Sequence, residues 1–172
     1  MSDTTALGRN DAFWRAQTNG DMDLRFSYRD TRSSTGSESL QVRVRASANS
    51  ARLVYVRFDD DGTVRIGEYD NGQWTTRASA SVSASYNQWY DVRILTEGDA
   101  VTVWRGPKGG AMEQVVQCSG VGYTDSDRLW FQTNYWATYD VDDIVVVGGS
   151  MGATTTTFTY TDANELATQT VN

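Results

Sequence analysis

The side chains best suited to chemistry are aromatic rings and carboxylates, and both come in clusters. Trp130, Phe131, Tyr135, Trp136 and Tyr139 crowd into one short stretch, with Gln132, Asn134 and Asp140 interleaved. Trp74 and Tyr69 flank the turn Asp70-Asn71-Gly72. Sugars present C–H faces that stack on such rings, while amides and carboxylates suit their hydroxyls. The competing use of the rings is packing. If Leu129 to Gln132 is a strand, Trp130 or Phe131 must face a core, and Trp89 is expected there too. Tyr135 and Trp136 fall in a loop and are open to either use. Among the carboxylates, Asp59-Asp60-Asp61-Gly62 reads as a turn with solvated acids, lacking the further ligands of an EF-hand loop. Asp140, Asp142 and Asp143 flank another strand. Alternation puts Asp140 and Asp142 on one face and Asp143 on the other.

What is missing narrows the chemistry. The chain contains no histidine and one cysteine, Cys118. Ser-His-Asp and Cys-His catalysis, His-ligated zinc and an intrachain disulfide are thereby excluded. Cys118 reads as a small core hydrophobe. The net charge is −7, which argues against nucleic acid and anionic membrane as partners, since both select a basic surface. No apolar run approaches the roughly 18 residues of a membrane span. Of the 15 Lys and Arg residues only Lys108 is lysine, and many of the arginines sit on alternating segments, as do Arg25, Arg43, Arg45, Arg57, Arg65 and Arg93. Cross-strand ion pairs on a solvated sheet face explain them better than a groove for an anionic polysaccharide.

The elements that must position these groups are strands. In the stretch 87–106, Tyr90, Val92 and Ile94 alternate with Asp91, Arg93 and Leu95. Glu97-Gly98-Asp99 turns the chain, and Val101 and Val103 alternate with Thr102 and Trp104, giving an antiparallel hairpin. Leu24, Phe26 and Tyr28 mark another strand, Leu40, Val42, Val44 and Ala46 a further one, and Leu53 to Phe58 the next. Thr63 to Tyr69 and Gln73 to Ala78 pair across Asp70-Asn71-Gly72, a strong hairpin signal. Met112 to Cys118, Leu129 to Thr133 and Val141 to Val147 complete the set. About ten or eleven short strands at even spacing, without a helical period, imply an all-β, two-sheet antiparallel sandwich or jelly roll. Residues 1–12 read as a polar lead-in, 13–148 as the sandwich, and 149–172 as a Gly/Thr-rich linker and tail.

Four stretches, YVRFDDDGTVRIGEYDNG, NQWYDVRI, EGDAVTVWRG and RLWFQTNYWATYDVDDIVVV, together resemble the concanavalin A-like (laminin G-like) lectin and glucanase superfamily. The resemblance implies a jelly roll hosting lectins, glycosidases, adhesion domains or spacers. Glucanases of the superfamily carry E-x-D-x-E or E-x-D-x-x-E on one strand. No such motif occurs among Glu38, Glu68, Glu97, Glu113 and Glu165, so no enzyme is expected. The resemblance also implies structural calcium on an aspartate of the closing strand. Asp142 is the matching position, with Asp140 beside it, and arginine or backbone N–H partners are the alternative. The tail FTYTDANELATQT resembles a single YD repeat of Rhs-type bacterial surface proteins through Tyr160, Asp162, Ala163, Asn164 and Leu166.

These readings combine into an expectation. The chain is a non-catalytic, lectin-like module of a larger bacterial surface or secreted protein, extracellular and monomeric as an isolated domain. It binds a polysaccharide or glycan through Tyr135, Trp136, Asn134, Tyr139 and Trp74. The alternative is a structural or adhesion spacer of an Rhs-repeat protein without a glycan ligand.

Overall fold

Alternation in the sequence becomes alternation in burial. In β7 (Trp89–Glu97), Tyr90, Val92, Ile94 and Thr96 are buried while Asp91, Arg93 and Leu95 are half-exposed, and β8 (Ala100–Pro107) repeats the pattern. The two pair antiparallel across Gly98, which takes φ +54° at the turn. The computed structural model describes residues 5–7, 20–31, 39–47, 49–125, 128–134, 138–148, 155–160 and 166–171, and these contain thirteen strands and no helix. The remaining strands are β1 (Thr5–Leu7), β2 (Met22–Asp30), β3 (Ser39–Ala46), β4 (Arg52–Asp59), β5 (Thr63–Asp70), β6 (Gln73–Ser81), β9 (Glu113–Cys118), β10 (Arg128–Asn134), β11 (Tyr139–Gly148), β12 (Thr155–Tyr160) and β13 (Leu166–Val171).

They form two antiparallel sheets. The eight-stranded sheet runs β13-β12-β11-β2-β7-β8-β9, with β1 on the remaining part of the β11 edge. The five-stranded sheet runs β10-β3-β4-β5-β6. Residues from both ends of the chain therefore join the same sheet as the central hairpin. The inner faces meet in one core. Leu24, Phe26, Val92, Ile94 and Val141 come from the larger sheet, and Leu40, Val42, Val56, Phe58 and Ile66 from the smaller. Phe26 meets Phe131 and Phe58 edge-on, at centroid distances of 5.1 and 6.1 Å. Each such side chain contributes about 1.5–3 kcal/mol on leaving water. Asn71 and Gly72 take φ +45° and +98°, as the turn between β5 and β6 requires.

The outer faces hold the charge. Asp23 accepts from Arg25 and Arg93, both at 2.9 Å, and Asp59 pairs with Arg57 and Arg65, both at 2.7 Å. Burial pushes the Asp23 carboxyl up, but the two arginines outweigh it and hold the group below its ordinary value. Trp89, expected in the core, lies on the outer face of the larger sheet. Because Tyr90 points inward, its neighbour must point out, and Trp89 is covered there by Arg29 and Lys108, at 4.9 and 4.7 Å from the ring. Arg45 reverses the expectation for the strand arginines. A register shift between Arg43 and Arg45 turns Arg45 inward, where it is fully buried. Its Nε donates to the Gly20 carbonyl at 2.8 Å and its Nη2 to Asp21 at 3.2 Å.

Candidate functional site

The outer face of the five-stranded sheet brings together the features suited to a sugar. The pairing registers set Trp74, Tyr69 and Leu53 in one row across β6, β5 and β4, and Gly67, Tyr55, Arg43 and Trp130 in the next row across β5, β4, β3 and β10. Beyond them come Arg65, Arg57, Gln41 and Gln132. Trp74 is 55% exposed, and two tyrosines buttress it. Tyr69 lies 4.6 Å from it centroid to centroid, and Tyr55 meets it edge-on at 5.4 Å. Tyr55 reaches this position because Gly67 has no side chain. A Cβ there would stand 2.3 Å from the Tyr55 hydroxyl oxygen.

The polar half of the face is as firmly held. The Arg43 guanidinium lies 4.4 Å over the Trp130 ring, and its Nη2 donates to the Gln132 side-chain oxygen. Arg43 Nε and Trp130 Nε1 have no partner among the described residues. A cavity of about 210 Å³ between Arg52, Asp70, Gln73, Thr75, Arg77 and Tyr123 opens on the other side of β5 and β6, since Glu68 and Thr75 alternate with Tyr69 and Trp74. The carboxylates nearby are compensated: Glu68 is held by Arg77 and the Gly122 N–H, and Asp59 by Arg57 and Arg65. The face therefore offers a ring platform flanked by fixed donors, an arrangement for binding.

The expected site residues do not converge. Trp74 stands on this face. Asn134 closes β10, where its backbone pairs with Ser39. Tyr135 and Trp136 lie outside the described residues. Tyr139 corrects the expectation, since it is 2% exposed and sits in the core against Tyr28, with a centroid distance of 6.2 Å. It shares the inward face of β11 with Val141, so its ring cannot meet a sugar. Asp140 and Asp142 lie on the other sheet and already have cations. Arg29 donates to Asp140, and Lys108 Nζ stands 3.3 Å from Asp142 and 2.8 Å from Asp143. Among the described residues no three acidic or cysteine side chains gather as a metal shell. The residues present do not fit calcium, because a bound ion would have to displace Lys108 from the oxygens it needs. Tyr55, Gly67 and the Arg43–Trp130 pair were missed. The alternation of Leu53, Tyr55 and Arg57 against Val54, Val56 and Phe58 is the signal that places Tyr55 outward.

No protein-family model matches this sequence, and no curated protein matches it by sequence. Solved structures do match by fold. The carbohydrate-binding module CBM66 from Bacillus subtilis superposes with a TM-score of 0.65 and 12% identity, over 85% of this chain and 96% of that one. The galectin LEC-6 of Caenorhabditis elegans gives 0.56 and 11%, over 81% and 94%. The exoplasmic/lumenal domain of VIP36, in a form bound to Ca2+ and Man3GlcNAc, gives 0.61 and 8%, over 88% and 83%. The chain has a lectin-like jelly-roll fold.

Proposed function

We propose that this chain is a non-catalytic carbohydrate-binding module that holds a glycan on the outer face of its five-stranded sheet. The observation that carries the reading is Trp74, a half-exposed indole braced by Tyr69 and Tyr55 on an open face. A rigid ring platform stacks on a sugar at little entropic cost. Arg43 and Gln132 supply polar groups for the hydroxyls. That the fold is shared with a carbohydrate-binding module, a galectin and a glycan-bound lumenal domain supports the same reading. Asn134, Tyr135 and Trp136, at and just after the end of β10 in sequence, are proposed as further contacts for the glycan. Such a module serves a larger bacterial surface or secreted protein, outside the cell or at its surface.

Glycan-array screening and pull-down on insoluble polysaccharides test the proposal. We expect binding that Trp74→Ala weakens about thirtyfold, the scale of a central aromatic anchor. A wild-type chain that binds nothing among neutral and acidic glycans would leave the structural or adhesion role instead.

A further inference from the structure

A second cavity, of about 640 Å³, lies where β6 ends, some seven residues and roughly 23 Å along that strand from Trp74. That volume falls in the range of small-molecule sites. Arg105 and Tyr90 line it from the larger sheet, the 82–88 connection forms one wall, and Pro107, Glu113 and Val115 form the other.

Arg105 is the unusual group. It is only 7% exposed, and its guanidinium carbon lies 3.5 Å from the centroid of the Tyr90 ring. Its Nε donates to the Tyr28 hydroxyl at 2.8 Å and its Nη1 to the Ser83 carbonyl at 2.7 Å. Among the described residues no carboxylate pairs with Arg105, and its Nη2 has no hydrogen-bond partner. Arg25, Arg29, Arg45, Arg57, Arg65, Arg77 and Arg93 each have one. In a chain of net charge −7 acids are plentiful, yet the one placed beside Arg105, its cross-strand neighbour Glu113, makes no ion pair with it. The Tyr90 and Tyr28 rings and two neutral oxygens compensate part of its charge, and the Nη2 edge is left for solvent or an anionic ligand.

The wall over Arg105 is built rather than loose. Val82 N–H donates to the Gly62 carbonyl at 2.9 Å, Asn87 N–H to the Asp30 carbonyl at 2.8 Å, and Ser85 N–H to the Tyr90 hydroxyl at 2.8 Å. These bonds fix the wall beside the guanidinium, whose Nη2 makes no hydrogen bond. A planar fork suits a carboxylate. Val82, Pro107 and Val115 add apolar surface, and Ser81, Gln88 and Gln114 add hydroxyl and amide groups. Glu113 disfavours a multiply charged phosphate or sulfate cluster but tolerates one negative charge.

We infer that this cavity binds a carboxylate-bearing sugar, a uronic acid unit, with the carboxylate seated on Arg105. The sugar part rests on the carbohydrate-binding reading above, whereas the carboxylate part stands on Arg105 itself.

Amide NMR titration of the intact chain with glucuronate and galacturonate tests it, with glucose, galactose and acetate as comparisons. The expected result is saturable shifts at Ser83, Gln88, Glu113 and Val115 with the uronates, well beyond those from the neutral sugars or acetate. Arg105→Lys should weaken uronate binding roughly tenfold, by losing the planar fork. Should that variant not fold, Glu113→Gln decides, since Glu113 is exposed. Removing its like charge should tighten uronate binding roughly two- to fivefold. Trp74→Ala should leave the uronate response unchanged while weakening neutral-glycan binding about thirtyfold, so the two sites can fail separately. Absence of a saturable shift, an equal response to glucose or acetate, or weaker binding by Glu113→Gln would overturn the inference.

Discussion

At Trp74, binding and stability should come apart. With more than half its surface in water, the indole contributes to stability through its two ring contacts alone, so Trp74→Ala should lower the unfolding free energy by about 1–2 kcal/mol, well short of a core truncation, while removing the platform. Gly67 predicts the opposite coupling. In Gly67→Ala the new Cβ would meet the Tyr55 ring at 2.3–2.4 Å and the Thr75 carbonyl oxygen at 2.6 Å. Relieving that clash means moving Tyr55 off the sheet, at a cost of about 1–3 kcal/mol. Urea unfolding should show the loss, and the near-ultraviolet circular dichroism of the Tyr55–Tyr69–Trp74 cluster should change with it. An unchanged spectrum with unchanged stability would mean that Tyr55 does not depend on Gly67.

The strands were legible as elements because period-two burial is written directly in their residues, and the departures from them share one cause. In LQVRVRA the alternation is unbroken, so Arg45 reads as a surface residue. The register shift beside it carries no glycine and no other local mark, yet it turns Arg45 into a fully buried cation. Likewise, a shift after Asp142 puts Asp143 at φ +53° and brings Ile144 to the core face. Tyr139 and Trp89 were different, since plain alternation with Val141 and Tyr90 already gave their directions. For Arg45 the structure predicts a large effect. Arg45→Ala empties a fully buried site and leaves the Gly20 carbonyl without its donor, and should destabilise the chain by about 2–4 kcal/mol in denaturant unfolding. A loss below about 1 kcal/mol, the scale of an exposed pair, would show that the bulge does not bury it.

Across the whole molecule, an all-β sandwich followed from strand count and turn signals, but the order of strands did not. Placing β11 beside β2, and β10 beside β3, depends on contacts between distant parts of the chain that no local pattern encodes. The candidate face was therefore half legible, with Trp74 and Tyr69 visible at their turn and Tyr55, Arg43 and Trp130 assembled by pairing across three further strands. The same packing sets how the fold responds to alkali. Burial raises the Tyr28 hydroxyl to about 12 against the opposing pull of Arg105. Burial, reinforced by Asp30 and Tyr28, raises Tyr139 further still. In the unfolded chain both ionise near 10. Above that pH the unfolded state binds fewer protons than the folded one, so the stability these groups contribute is complete below about pH 10 and is lost as pH rises toward 12. Denaturant midpoints measured from pH 7 to 11 should fall over the last unit. Tyr139 separates this from general alkaline damage, because its hydroxyl is buried without a partner among the described residues. Replacing it removes an unsatisfied group, so Tyr139→Phe should be neutral or up to about 1 kcal/mol stabilising at pH 7 and should flatten the alkaline decline. Tyr28→Phe instead strips Arg105 of an acceptor and should destabilise at every pH. If Tyr139→Phe lost stability at pH 7 and kept the full alkaline slope, Tyr139 would have to be moved out of the core and back among the exposed rings.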